Sequence, residues 1–377
     1  MKERLIKYIS SYKYLHSNIK NRNLRWVLFI YITEPFYFRF WNMYMIGHQN
    51  RRETIVLRDI FHELGYDFFA LRFDSNKTLV GVVPQNVEII FGLEPNFEKF
   101  CGIYSDAKKI YYATGAYYKH QNEMIIKRTN EVNERKKSNI PYNRLIKEHN
   151  SSEIADLIIQ IGSNYTIETY PPEIRGKVRL IRQSTFEYIN YNEKEKKEKF
   201  SKNTFLWFGG KGAILKGLDL VLEYFAKKKN YKLHVVGYVE KEFSHVYKNE
   251  LFHTENIHFH GYLRIDSKQL KNIALESSFV ILPSCSEGVP GSVLNMMRFG
   301  MIPIVSKYAG YDILKDYGFC IKDLSLEGIS NAIIDAEKLT TTNMINHFQS
   351  GYEFVKNNFN IENFRSDVKT ILGDFEL

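Results

Sequence analysis

Two short glycine-bearing strings carry the residue types best placed to do chemistry. The first, Gly209-Gly210-Lys211-Gly212-Ala213-Ile214-Leu215-Lys216-Gly217, follows an apolar run ending at Phe208 and leads directly into a helical pattern. Glycines let the backbone approach a ligand closely. Lys211 and Lys216 add two point charges beside a helix start, whose N–H groups already favour an anion, so the combination suits a diphosphate. It is not a Walker A loop, and a tight turn flanked by solvated lysines would account for the string if it stood alone. The second string is Pro283-Ser284-Cys285-Ser286-Glu287-Gly288-Val289-Pro290-Gly291-Ser292, before a helical stretch to Phe299. Gly288 and Gly291 free backbone N–H groups for a second anion contact on the same cleft. Its one acid, Glu287, is electrostatically awkward beside a phosphate. It suits sugar hydroxyls, or positive charge developing at an anomeric carbon, better; a helix-capping glutamate is the plain alternative.

The elements around these strings alternate. From residue 203 onward Phe205–Phe208, Leu233–Val236, Ile257–Phe259, Phe279–Leu282 and Ile302–Val305 read as strands, with helical spacing between them, as in Gly217–Lys228. That is βαβ punctuation and predicts a doubly wound parallel sheet, whose ligands sit beyond the carboxyl ends of the strands. The first half shows a noisier version, with candidate strands at Trp26–Ile32, Phe68–Leu71, Glu88–Phe91, Lys109–Ala113, Leu157–Gln160 and Val178–Ile181. The expected organisation is α/β, with two Rossmann-like doubly wound domains facing a central cleft: an N-terminal domain over 1–191, a charged linker over 192–202, and a C-terminal domain over 203–355. A C-terminal helix over 356–377 would cross back to the first domain. Leu5, Ile9, Tyr12, His16 and Ile19 fall at three- and four-residue steps among basic residues. They predict a basic helix over 1–23, either on a membrane surface or packed on its own domain.

Taken with Leu233-His234-Val235-Val236-Gly237, Asn256 to Leu263, and Ser286-Glu287-Gly288 through Gly300-Met301-Ile302-Pro303, the two strings resemble glycosyltransferase family 4 in order and spacing over Asn203 to about Asp312. The resemblance implies the GT-B fold and a retaining, metal-independent transfer from a nucleoside-diphosphate sugar, with no cofactor beyond that UDP- or GDP-linked co-substrate. It places Lys211 and Lys216 on the donor diphosphate and assigns Gly209, Gly210, Glu287, Gly288, Val289, Gly291 and Ser292 to donor binding. Tyr262 falls where the family holds the base, although an ordinary half-buried tyrosine fits as well. The family's signature has a second Glu eight residues after the first, and that position is Asn295 here. An amide oxygen still accepts from a ribose hydroxyl, without charge assistance. For the family's sugar-contacting histidine, Tyr117 and His120 are the candidates, with His48 a rival. His48, Asn50 and Arg51 are candidates for the acceptor side.

Bulk properties narrow the alternatives. The chain has 377 residues, 44% hydrophobic and 25% charged, enough for two cores and unlike a disordered chain. Cys101, Cys285 and Cys320 are too scattered for a zinc site or a disulfide framework, and with no hydrophobic leader in view a reducing cytoplasm is expected. A net charge of +9 suits the inner face of a cell membrane and a glycan or lipid-linked glycan acceptor, as in cell-surface polysaccharide assembly, and a soluble acceptor fits too. No RNP-type or zinc-finger string supports nucleic-acid binding. The missing second Glu keeps open a second reading: a catalytically impaired nucleotide-sugar-binding partner of the same fold.

Overall fold

The computed structural model describes residues 12–16, 25–38, 45, 47–75 and 82–376. Seven strands, β1 (Tyr12–Leu15), β2 (Trp26–Tyr31), β3 (Asp67–Arg72), β4 (Val87–Gly92), β5 (Lys108–Ala113), β6 (Leu157–Ile161) and β7 (Val178–Ile181), form one sheet in the order β1-β3-β2-β4-β5-β6-β7. Six more, β8 (Ser201–Gly209), β9 (Lys232–Gly237), β10 (Ile257–Gly261), β11 (Ser277–Leu282), β12 (Ile302–Ser306) and β13 (Phe319–Ile321), form a second in the order β10-β9-β8-β11-β12-β13. Every pairing is parallel except that of β1 with β3. Helices cover both faces, so β2, β3 and β11 are buried at every position, which is why they read as unbroken apolar runs. In the second sheet the strand order reverses at β8, and the loops after β8 and β11 part there to leave a crevice.

Two expectations need correction. Tyr12–Leu15 is an antiparallel edge strand on β3, not part of a helix. Tyr12 stacks on Phe69 at 5.8 Å and Tyr14 meets Phe69 and Trp26 edge-on at 4.7 and 5.6 Å, and these cross-strand aromatic pairs override the helical spacing. The remainder of the 1–23 reading, residues 1–11 and 17–23, lies outside the described residues. The charged run over 192–202 is also no free linker. Glu193–Lys199 is a helix capped by Asn192, and Lys196 is fully buried, donating to the carbonyls of Ala274 at 2.7 Å and Ser277 at 2.5 Å. The chain crosses between the sheets earlier, through buried Gln183, Ser184, Thr185 and Phe186. β13 was not among the expected strands, because three residues are too few to show a pattern.

The chain crosses back beside the first crossing. Thr185 N–H donates to Phe359 O at 2.8 Å, and the helix Ile361–Asp374 then buries Phe364, Val368 and Leu372 in the N-terminal core. A second seam is electrostatic. The helix Tyr118–Lys136 comes from the N-terminal half, yet its Val132 sits in the C-terminal core. Its Arg128 and Arg135 reach Asp219 at 2.6 and 3.0 Å, Arg135 also reaches Glu223 at 3.0 Å, and Lys136 reaches Glu250 at 2.7 Å. Asp219 and Glu223 lie on the helix Leu218–Ala226, which starts at the end of the first glycine string.

Glu53, on the helix Asn50–Glu63, ties down the first crossing by accepting from Ser184 N–H at 2.6 Å and Ser184 Oγ at 2.8 Å. Burial pushes its carboxyl up to about 7, against the pull of the Ser184 hydrogen bonds. The folded protein therefore keeps a proton that the unfolded chain has already lost, and this group's contribution to stability falls as pH rises from 4.5 to about 7. Glu53→Gln is expected to remove that slope and to gain up to about 3 kcal/mol over the native protein at pH 8. Urea midpoints for both proteins at pH 5 and pH 8 check it; parallel pH profiles would refute it.

Candidate functional site

The turn after β8 brings Lys216 back under the strand ends. Its Nζ pairs with the carboxylate of Glu287 from the loop after β11, and Ser284 Oγ donates to the same carboxylate oxygen at 3.3 Å. The expected cation and the expected acid are thus in direct contact. Lys211 is exposed, with Nζ 5.4 Å from the centre of the Tyr238 ring. Gly209 lies buried against the Trp207 ring, whereas Gly210 faces open space. The N–H groups of Gly212 and Ala213 donate to Glu240, at 2.5 and 3.1 Å. Glu240 sits in the loop after β9 at the start of the helix Lys241–Val246. That loop was legible as a strand-end loop, but nothing in its sequence singled this residue out.

The Glu287–Ser292 loop meets the N-terminal half. Gly288 lies so close to the carbonyl of Ile161, at the end of β6, that a side chain there would collide with it. Val289 O accepts from Gln183 Nε2. At the start of the helix Gly291–Met297, Gln49 Nε2 lies against Gly291 and donates to Gln183 Oε1 at 3.1 Å. Gln49 thus lies on one side of Gly291, and Gly291 and Ser292 themselves are half-buried. Asn295 is 2% exposed, accepts from Phe186 N–H at 3.0 Å and donates to Gly291 O at 2.7 Å. Its amide is spent on joining the crossing segment to this helix and does not open onto the cleft as a ribose contact. Tyr262 is 69% exposed just past β10, the edge strand, and is not the half-buried ring that was the alternative.

Between the halves lies a cavity of about 290 Å³, bounded by Thr114–Tyr118 after β5, Glu94 after β4, Arg144–Ile146, and Lys216, Ser286 and Glu287. Of the two candidates for the sugar contact, Tyr117 lines it. Its hydroxyl donates to Glu153 at 2.9 Å, and burial together with that carboxylate raises its pKa, so it stays protonated. Glu94 accepts from Tyr111 at 2.7 Å. The hydroxyls of Tyr112, Tyr118 and Ser286, all on lining residues, are buried and have no hydrogen-bond partner among the described residues. His120 does not line the cavity. Its Nε2 lies 2.7 Å from Tyr165 OH, and Tyr165 meets Tyr308 of the other half edge-on at 5.6 Å, so it belongs to a bridge between the halves; burial lowers its pKa. His48, Asn50 and Arg51 are also outside the lining. They form the turn into the helix Asn50–Glu63, where His48 Nδ1 accepts from Asn50 N–H at 3.3 Å and Asn50 Nδ2 donates to Tyr31 OH at 3.3 Å.

Comparison with known proteins bears on this cleft. Residues 190–364 match the family model described as glycosyl transferases group 1. No curated protein matches the sequence. Among solved structures, a sucrose-phosphate synthase from Thermosynechococcus elongatus is similar with a TM-score of 0.63 and 11% identity, over 94% of this chain and 99% of that one. A glycosyltransferase from Rickettsia africae ESF-5 has a TM-score of 0.58 and 13% identity, over 93% and 98%. WaaG, a glycosyltransferase involved in lipopolysaccharide biosynthesis, has a TM-score of 0.54 and 13% identity, over 92% and 99%. At such identities the likeness shows the fold. The two Rossmann-like sheets are the GT-B arrangement, and that fold, together with the match over residues 190–364, supports a GT-B glycosyltransferase.

Proposed function

We propose that the protein transfers a sugar from a UDP- or GDP-linked donor to a hydroxyl of a glycan or lipid-linked glycan, with retention and without a metal ion. The observation that carries this reading is the Lys216–Glu287 pair, set at the reversal of strand order and lining the cavity between the halves. A donor diphosphate draws Lys216 to itself and leaves Glu287 for the sugar. The bond from the anomeric carbon to the departing phosphate oxygen breaks, the acceptor oxygen bonds to that carbon from the same face, and the acceptor proton passes to the departing oxygen. Preorganised cations meet the charge developing on that oxygen, and holding both substrates in one cleft supplies the rest through orientation. A cytoplasmic location, at the membrane face where cell-surface glycans are assembled, accords with free cysteines at 101, 285 and 320, a net charge of +9 and the involvement of WaaG in lipopolysaccharide biosynthesis. No described helix is long and apolar enough to cross a membrane.

The buried Asn295 favours one other reading, a binding partner that holds the nucleotide sugar without turning it over. A thermal-shift screen with UDP, GDP and ADP tests the donor site. At a hundredfold excess over the dissociation constant, the correct diphosphate should stabilise the fold by about 2.7 kcal/mol, a shift of several degrees. No shift with any of the three would remove the proposal. Release of diphosphate on adding acceptor then separates an enzyme from a binding partner.

A further inference from the structure

We propose that Arg144, supplied by the N-terminal half, grips the donor phosphate next to the transferred sugar; this rests on the donor-binding reading above. The charges assigned to that phosphate are undersupplied. Lys216 can reach it only by leaving Glu287, Lys211 lies out over Tyr238, and two N–H groups of the loop are held by Glu240.

Arg144 is built to stand in that gap. Its backbone adopts φ 72°, the left-handed region that a residue with a side chain rarely adopts unless its surroundings impose it. Here the helix Tyr118–Lys136 imposes it: Gln121 Nε2 donates to Arg144 O at 3.1 Å, and Asn122 holds Ile146 through both N–H at 2.8 Å and C=O at 2.7 Å. The side chain is laid across the glycine loop, with Cγ 3.0 Å from where a Cβ on Gly212 would be, and Gly212 itself has φ 95°, which favours glycine. Arg144 lines the cavity with Lys216 and Glu287, and no hydrogen bond or ion pair of its guanidinium is found among the described residues. Arg144 is exposed, whereas buried Arg128 is held by two carboxylates. An unpaired, forked guanidinium beside the transfer site suits bidentate contact with a phosphate. Because it shares its cavity with Glu287, it would meet the phosphate at the sugar end and the charge that grows there as the anomeric bond breaks.

The test is calorimetry of the full chain with the nucleoside diphosphate selected by thermal shift and with its monophosphate, which lacks that phosphate. Arg144→Ala and Arg144→Gly should each weaken diphosphate binding tenfold or more and change monophosphate binding less than twofold. Arg144→Gly, relieved of the left-handed strain, should melt no lower than the native protein, which separates lost binding from lost fold. Unchanged diphosphate affinity in Arg144→Gly, or equal losses for both ligands, overturns the assignment alone. A native protein that binds no diphosphate overturns the donor reading with it.

Discussion

Glu287→Gln should lower kcat by about two to three orders of magnitude, the range seen when a single preorganised electrostatic partner is removed from a transition state. The same change should leave diphosphate binding as tight or tighter. The two signs differ because Glu287 has two partners in turn. In the free protein its carboxylate neutralises Lys216, at 19% and 15% side-chain exposure respectively. With donor bound, it serves the sugar. The amide releases Lys216 for the phosphates while removing the charge that steadies the anomeric carbon. Steady-state turnover beside calorimetry with the diphosphate checks both halves. Native turnover in the variant, or a loss of affinity that parallels the loss of rate, would end the role assigned to this residue.

Asp219→Ala should cost about 3–5 kcal/mol of stability, because removing one partner of a buried ion pair leaves the other as an uncompensated charge. Asp219 is fully buried and Arg128 is 3% exposed, so little water reaches either. Replacing both, as Arg128→Met with Asp219→Leu, should recover most of the loss, since well-packed apolar pairs commonly match buried ionic ones. Urea unfolding of the single and double variants reads this directly. A double variant no more stable than the single one would show that the pair acts through more than its charge.

The alternation of strands and helices was legible because a parallel strand covered on both faces must be apolar throughout, and such runs are visible in any sequence. The two loops were legible because each sets glycines between a strand end and a helix start, the first with two lysines and the second with one acid, and the two occur in the order and spacing of the resembled family. What stayed hidden depends on partners distant in the chain. Gln183, Ser184 and Thr185 read as loop but are buried, because Val289, Glu53 and Phe359 supply their hydrogen bonds. Lys196 reads as a solvated charge but is buried, because the carbonyls ending the helix Lys268–Glu276 need a donor. Asn295 kept the place of a binding residue in the sequence, yet its amide is committed to Phe186 and Gly291. The sequence pattern likewise gave no sign that Arg144 adopts a left-handed backbone, because Gln121 and Asn122 hold it there from another element.

The docking of the helix Tyr118–Lys136 onto the far half bears on how relatives could be recombined. A chimaera joined at the crossing segment would part Arg128 and Arg135 from Asp219, and Val132 and Ile140 from the core they complete. The portable cassette is therefore discontinuous. Anyone grafting a new donor half onto this acceptor half must carry residues 118–140 along with it, or redesign the seam on both sides at once.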